Sequence, residues 1–408
     1  GDEHNIDWRV VQKIRTSQLM VFRVALSSSK SLRKALKLDE EMGLVMGLEK
    51  TPRVARDAGL VNVEVVLPEQ FRRTLPLNIL PQVGQLRATV GQTVTGRSFR
   101  VKLNGTRTCH HLISGTTGSG KTVLEWLLAW AIVKHNPPRQ VKLILIDGKG
   151  GVKWQAFKNV PHLMMPVIGD AQDAVKALAW TVMEMDKRKK DMRNTPAIFV
   201  VIDEVRDLIT VGGDDIALAL DRLTAVGREF GIHVIAATQK ALTDSIGGSI
   251  AKANFPVRWC GYVPSAQDAH IATGQPETGA HRLNGLGDFI FVAPDNLHRV
   301  QVALLEPSKH LVSLPRMESE TDAPDDLNEL DLSRVLGVVD NSVITEKDEE
   351  RQIEMLAWAL AHPVGARKIR EQFSIGMDTA RWVRRLSEGV REQWKGLGFS
   401  LAKEVVVS

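Results

Sequence analysis

Residues Gly115-Thr116-Thr117-Gly118-Ser119-Gly120-Lys121-Thr122 constrain this chain more than any other stretch. They read GTTGSGKT, a complete Walker A phosphate-binding loop. Before it, His110-His111-Leu112-Ile113-Ser114 is an apolar run able to end a strand. After it, Val123-Leu124-Glu125-Trp126-Leu127-Leu128 opens a helix. In that strand–loop–helix setting, successive backbone N–H groups at the helix start converge on one concavity and hold phosphates. Lys121 is expected to reach the β- and γ-phosphates, and the Thr122 hydroxyl to hold Mg²⁺. The competing reading, a Gly/Ser turn before a core helix, leaves the full set of fixed positions unexplained. A nucleotide-binding motor or switch follows.

A second signature sits downstream. Asp203-Glu204 ends the apolar run Ala197-Ile198-Phe199-Val200-Val201-Ile202. A carboxylate pair at the end of a buried strand has no cheap structural purpose, because uncompensated burial of charge is costly. It reads as Walker B, with Asp203 binding Mg²⁺ through a water and Glu204 as general base. The structural alternative is a strand-end salt bridge. Thr238-Gln239 ends the next apolar run, Ile232-His233-Val234-Ile235-Ala236-Ala237, where an amide side chain is able to orient the attacking water. A polar strand end is common, so this signal gains weight only from its order after the Walker motifs.

Apolar runs that alternate with helical patterns across 106–307 argue for a parallel sheet covered on both faces. Val141-Lys142-Leu143-Ile144-Leu145-Ile146 is another such run, and 288–292 with 300–304 reads as an antiparallel closing hairpin. Upstream, residues 1–35 are expected as a helical segment from Trp8 to Leu26. Residues 36–105 are expected as an α+β subdomain with a helix over 40–48 and strands at 61–65 and 97–103. Residues 308–348 read as an acidic linker, with Arg334 and Lys347 the only Arg or Lys between 317 and 350. Residues 349–408 carry helical patterns at 349–360, 366–373 and 377–386, with Ser374-Ile375-Gly376 between the last two, the layout of a helix-turn-helix.

Composition narrows the partners without choosing one. A net charge of +5 over 408 residues permits nucleic acid without demanding it. Cys109 and Cys260, the only cysteines, form neither a disulfide framework nor a zinc motif and fit a reducing cytoplasm. The 11 histidines show no metal-ligand spacing. Leu127 to Val133 is too short to span a bilayer, and the first thirty residues hold no signal peptide. The chain opens on Gly1 rather than Met, which leaves room for an upstream membrane anchor in a longer parent.

With these residues in place, the chain resembles the DNA-pumping motors of the FtsK/SpoIIIE group within the HerA–FtsK superfamily. The ordered motifs that carry the likeness begin with His111-Leu112-Ile113 before GTTGSGKT, then Leu145-Ile146-Asp147-Gly148-Lys149 and Val160-Pro161-His162-Leu163. They continue through 183–188, 201–208, 231–239, 250–258 and Gly285-Leu286-Gly287-Asp288. The resemblance implies an α/β core of RecA type with a parallel sheet, ATP and Mg²⁺ as cofactors, and double-stranded DNA as substrate. It also implies homo-hexameric rings and a C-terminal winged helix. Arg381, Arg384 and Arg385 then become candidate DNA contacts, with an Arg-rich helical interaction domain as the plainer alternative.

Several positions depart from the family. Thr210-Val211-Gly212-Gly213-Asp214-Asp215 places aspartates where a pore-facing loop usually carries lysines; Lys149, Lys153 and Lys158 are possible substitutes, a solvated loop the plainer reading. Asp268-Ala269-His270 stands where Asp-Ser-Arg is usual, so Arg228 or Arg258 inherits the arginine-finger role. Lys240 follows Gln239 in place of Arg-Pro. Lys187-Arg188-Lys189-Lys190 reads as a solvated helix face. The resulting expectation is a divergent ATP-driven double-stranded DNA translocase. Rival readings are a conjugative or mobile-element DNA pump of the same family and a secretion-type ATPase that moves protein.

Overall fold

The computed structural model of the chain describes residues 6–57, 59–80, 86–239, 254–317, 321, 323–327, 330, 332–336, 355, 358–359, 366–373, 383–384 and 387. The chain divides into two compact units, 1–337 and 338–408. Among the described residues no helix is long and apolar enough to cross a membrane.

The amino-terminal stretch corrects the first expectation. Trp8 to Leu26 is a hairpin, β1 (Trp8–Arg15) paired antiparallel with β2 (Leu19–Leu26). The β-branched residues Val10, Val11, Ile14, Val21 and Val24 favour strand. A register shift between Val10 and Gln12 breaks the period-2 alternation that would have revealed it. Thr16 closes the turn: its N–H donates to the Leu19 carbonyl at 2.8 Å and its Oγ1 accepts the Leu19 N–H at 3.0 Å. With β3 (Arg53–Asp57) and β4 (Leu60–Val66), the hairpin forms a four-stranded sheet of order β1-β2-β4-β3. Between β2 and β3 lie helices α1 (Ser29–Ala35) and α2 (Asp39–Val45). Met42 of α2 and Leu48 pack on the sheet face that carries Val24, Val63 and Val65.

The expected strand over 97–103 exists as β6 (Ser98–Lys102), paired with β5 (Arg87–Thr93), but the pair belongs to the central sheet. That sheet has nine strands in the order β6-β5-β13-β12-β11-β7-β10-β9-β8. Its parallel part is β11 (Val257–Cys260), β7 (His111–Ser114), β10 (Ile232–Thr238), β9 (Ala197–Asp203) and β8 (Val141–Asp147). The antiparallel part adds β12 (Asp288–Ala293) and β13 (Asn296–Val302), the expected closing hairpin, and then β5 and β6. The sheet is therefore mixed rather than parallel throughout.

The apolar strands bury both faces. One face packs under α3 (Lys121–His135), whose residues 127–133 are all buried; the other packs under α4 (Ala171–Asp191) and α5 (Val205–Val226). The Asp170 carboxylate caps α4 by accepting the Asp173 N–H at 2.9 Å. Strand β7 lies between β10 and β11, so the chain leaves it at the point where strand order reverses. Ligands of open α/β sheets bind in the crevice at such a switch point.

Three further expectations change. The stretch 210–215 is part of α5, interrupted only at Gly213, where φ is 65° and ψ is −151°. Arg188 does not face solvent: it is fully buried, donating to Glu184 at 2.8 Å and to the Phe230 carbonyl at 2.9 Å. The described part of the acidic segment is packed on the motor rather than linking freely. Trp180 Nε1 donates to Asp326 Oδ1 at 2.8 Å, Met317 N–H to the Asn159 carbonyl at 2.8 Å, and Leu336 is buried in the core under α4 and α5.

In the second unit, the helix Ala366–Phe373 matches the expected one. Met355, Ala359, Ile369 and Val383 form a small core, with Trp358 and Phe373 meeting edge to face at 5.5 Å. Most of the rest of the expected winged helix, Arg381 and Arg385 included, lies outside the described residues.

Candidate nucleotide-binding site

The phosphate-loop residues run from the end of β7 into the first turn of α3. Neighbouring segments brace the loop on two sides. Thr116 N–H donates to the Tyr262 carbonyl at 2.9 Å, just beyond β11. Leu286 and Gly287 N–H groups donate to the Gly118 and Ser119 carbonyls at 3.0 and 2.9 Å. The bracing leaves no room at Gly120, where φ is 100° and an added Cβ would stand 2.6 Å from the Gly287 nitrogen. Lys121 lies over the loop, its Nζ donating to the Gly115 and Thr116 carbonyls at 2.6 and 3.2 Å. Burial lowers its pKa, opposed by Glu204, Glu125 and Asp203.

The loop fits a nucleotide polyphosphate on its own chemistry. It offers backbone donors at a helix start, the Lys121 ammonium, and a buried Ser119 hydroxyl that makes no hydrogen bond among the described residues. For Mg²⁺, the exposed Thr122 hydroxyl opens α3 and the Asp203 carboxylate ends β9, so both expected oxygen donors border the crevice.

Three parallel strands deliver the remaining groups. Asp203 on β9 is in register with Asp147 on β8, whose buried carboxylate accepts the Lys149 and Lys153 N–H groups at 3.0 and 3.2 Å. Glu204 takes a left-handed backbone, φ 50°, a conformation that strains a non-glycine residue. Its carboxylate accepts the Gln239 N–H at 3.0 and 3.1 Å and the Thr238 hydroxyl at 3.2 Å. The Gln239 amide oxygen in turn accepts the Thr117 hydroxyl at 3.2 Å, joining the end of β10 to the phosphate loop. Thus Lys121, Asp203, Glu204 and Gln239, distant in sequence, border one crevice.

The arginine candidates lie elsewhere. Arg228 precedes β10, where its Nη1 donates to the Thr106 carbonyl at 3.0 Å. The length of β10, about 20 Å at 3.3 Å per residue, separates it from Gln239. It cannot serve the nucleotide site of its own chain. Arg258 is on β11, partly buried, with its guanidinium packed on Gly274. Asp268 and His270 ride α6 (Ala266–Thr273), where Ser265 Oγ caps the helix by accepting the Asp268 N–H at 3.0 Å. Arg384 is exposed in the second unit.

Sequence reasoning missed Lys153 and Glu125. Lys153, read as a residue of a solvated loop, is buried and ion-paired with Glu125 of α3 and with Asp203 at 3.0 Å. Burial pushes the Glu125 pKa up, against the pull of the Lys153 ammonium. The available signal was the glutamate itself, a charge inside the otherwise apolar run 123–133. The bracing by residues 285–287 was visible only as the motif Gly285-Leu286-Gly287-Asp288, without a place.

Residues 81–196 match the FtsK/SpoIIIE family. The DNA translocase FtsK of Leptospira interrogans serogroup Icterohaemorrhagiae serovar copenhageni (strain Fiocruz L1-130) is 33% identical over 303 residues, covering 66% of this chain and 31% of that protein. The DNA translocase FtsK of Agrobacterium fabrum (strain C58) is 33% identical over 297 residues, covering 59% of this chain and 33% of that protein. The chain therefore spans about a third of the length of these relatives. Among solved structures, the pCW3 conjugation coupling protein TcpA, in its monomer form with ATPγS, superposes with a TM-score of 0.54 at 20% identity. That match covers 76% of this chain and 92% of TcpA, and speaks to the fold alone. The ordered Walker motifs, the strand order around β7 and these relatives together make the chain a P-loop ATPase similar to the FtsK/SpoIIIE family.

Proposed function

We propose that this chain is the motor part of a double-stranded DNA translocase, driven by ATP hydrolysis and working as a homo-hexameric ring. The observation that carries the reading is the chain of contacts from Glu204 to Gln239 to Thr117. It sets a carboxylate and an amide beside a phosphate loop, as hydrolysis of a terminal phosphate requires. In this reading the loop N–H groups of residues 115–120 and the Lys121 ammonium bind and orient the polyphosphate. Thr122 and Asp203 hold Mg²⁺, which when bound offsets phosphate charge. Glu204 takes the proton of the attacking water, and Gln239 orients that water.

Arg228, too far from its own crevice, suits a role toward the site of a neighbouring subunit, which supports hydrolysis at subunit interfaces. The family's relatives are DNA translocases, which supports duplex DNA as the substrate. Arg381, Arg384 and Arg385 of the proposed winged helix contact the duplex, and a cytoplasmic site of action fits such a substrate.

The test is ATP turnover at fixed moderate salt without DNA, with linear duplex and with single strand. Stimulation by duplex that disappears in Glu204→Ala supports the motor. Turnover indifferent to every nucleic acid favours the protein-moving alternative. Deleting residues 349–408 is expected to weaken DNA binding and flatten its salt dependence while sparing basal turnover.

A further inference from the structure

Lys153 holds an unusual place for a lysine. Its side chain is 8% exposed, and its Nζ meets two carboxylates from different elements. One is Glu125, in the second turn of α3; the other is Asp203 Oδ2 at 3.0 Å. The rest of the residue is pinned. Its N–H donates to Asp147 Oδ2 at 3.2 Å, its carbonyl accepts Trp126 Nε1 at 3.0 Å, and its ammonium stands 5.5 Å from the Trp154 ring centroid.

Glu125 is the counterpart. It is fully buried between Leu124 and the apolar run that follows, and its Oε1 makes no hydrogen bond among the described residues. An apolar side chain would serve that stretch of α3 better, since a buried carboxylate is costly unless paired. Its pairing with Lys153 thus fixes an ammonium beside the phosphate loop. Of the two carboxylates Lys153 touches, Glu125 is fully enclosed, whereas Asp203 is 19% exposed and borders the crevice.

We propose that Lys153 is a positioning residue that holds Asp203 in place until the carboxylate engages a divalent cation, with Glu125 retaining the ammonium afterwards. The inference rests on the reading of residues 115–122 as a Mg²⁺-nucleotide site. A lysine ammonium and a divalent ion compete for one carboxylate, because each repels the other at short range. The same ammonium favours an approaching polyphosphate. Lys153 therefore weakens the hold of Asp203 on the metal, supports nucleotide bound without metal, and damps the metal dependence of nucleotide binding.

The experiment is binding of a fluorescent ATP analogue to the full 408-residue chain, in Mg²⁺ and in EDTA, read as the ratio of the two dissociation constants. Lys153→Met is expected to raise the EDTA-to-Mg²⁺ ratio about tenfold, the size of one charge-assisted hydrogen bond of modest net strength. Because Lys153→Met leaves Glu125 buried and unpaired, Glu125→Gln/Lys153→Met is measured beside it. The double variant removes both buried charges, keeps the fold, and raises the ratio as well, since the competing ammonium is gone. A merely structural lysine would change both constants alike. An unchanged or lowered ratio in the folded double variant overturns the proposal while leaving the nucleotide site intact. Absence of binding by the unmodified chain in both buffers would overturn the nucleotide reading and this inference with it.

Discussion

At the amino ends of β7 and β10, His110, His111 and His233 are buried beside Phe199, Phe255 and Trp259. At the carboxyl ends of β8 and β9, Asp147, Asp203 and Glu204 gather under Lys121 and Lys153. Both ends bury polar side chains, yet they settle them differently. Burial first, and neighbouring positive groups second, hold His110 down to about 3. Burial likewise holds His111 and His233 down to about 4. His111 shows how neutrality is used: Trp259 Nε1 donates to its Nδ1 at 3.2 Å, and its Nε2 faces the Thr108 carbonyl at 3.2 Å. Only a neutral ring satisfies both contacts. The carboxyl ends instead pair opposite charges and aim them at a helix start. One end of the sheet is sealed against charge, and the other is built to receive it.

The sharpest way to break this contrast is at Glu204. Glu204→Gln is expected to lower ATP turnover by about 10²-fold or more, while the thermal midpoint, followed by circular dichroism, stays near that of the unmodified chain. A matching collapse of stability would mean that Glu204 serves the fold instead.

Next in size, Gly120→Ala forces a Cβ against the Gly287 nitrogen and into a left-handed backbone. Loss of nucleotide binding and a stability loss of about 1–3 kcal/mol are expected, measured by analogue binding and urea unfolding. Retained binding would show that the 285–287 brace can yield.

The sealed end has its own test, in pH. The unfolded histidines take up protons as pH falls through about 6.5, whereas the folded ones resist until about 4 or below. The histidine contribution to stability is therefore full above pH 6.5 and drains away between 6.5 and 4, by up to about 3 kcal/mol for each histidine. Urea midpoints across that range are expected to show the slope, and His111→Gln to flatten it by roughly a third of the histidine contribution. A slope untouched by His111→Gln would remove this histidine from the account. The smallest effect is expected at Thr117→Val, which deletes the hydroxyl that reaches Gln239. Turnover should fall only a few-fold, as fits one neutral hydrogen bond, with nucleotide affinity nearly unchanged.

The open end was far more legible in the sequence than the sealed one. Walker A, Asp203-Glu204 and Gln239 each stand where an apolar run stops, and such a stop marks a strand end without any knowledge of neighbours. The sealed end gave no such sign. His110-His111 looked like an adjacent pair with diverging side chains, and nothing local says that Trp259, 148 positions away, donates to one of them. Arg188 misled for the same reason: it sits in a basic run, but its partners include the Phe230 carbonyl, 42 positions on. The hairpin β1–β2 was misread as a helix because one bulge interrupts the alternation by which strands are recognised.

The sequence by itself determined the kind of chemistry. A phosphate loop needs glycines and a lysine at fixed spacing, and a strand buried on both faces must be continuously apolar until it meets solvent or a ligand. Both rules act over a few neighbouring residues. Only the tertiary structure decided how the site is held. It placed β7 between β10 and β11, set Gly287 against Gly120, turned Glu204 toward Gln239, and brought Lys153 to Asp203 and Glu125. Each depends on which strands pair and which loops close over them, and pairing is settled by burial and backbone hydrogen bonding across the whole sheet.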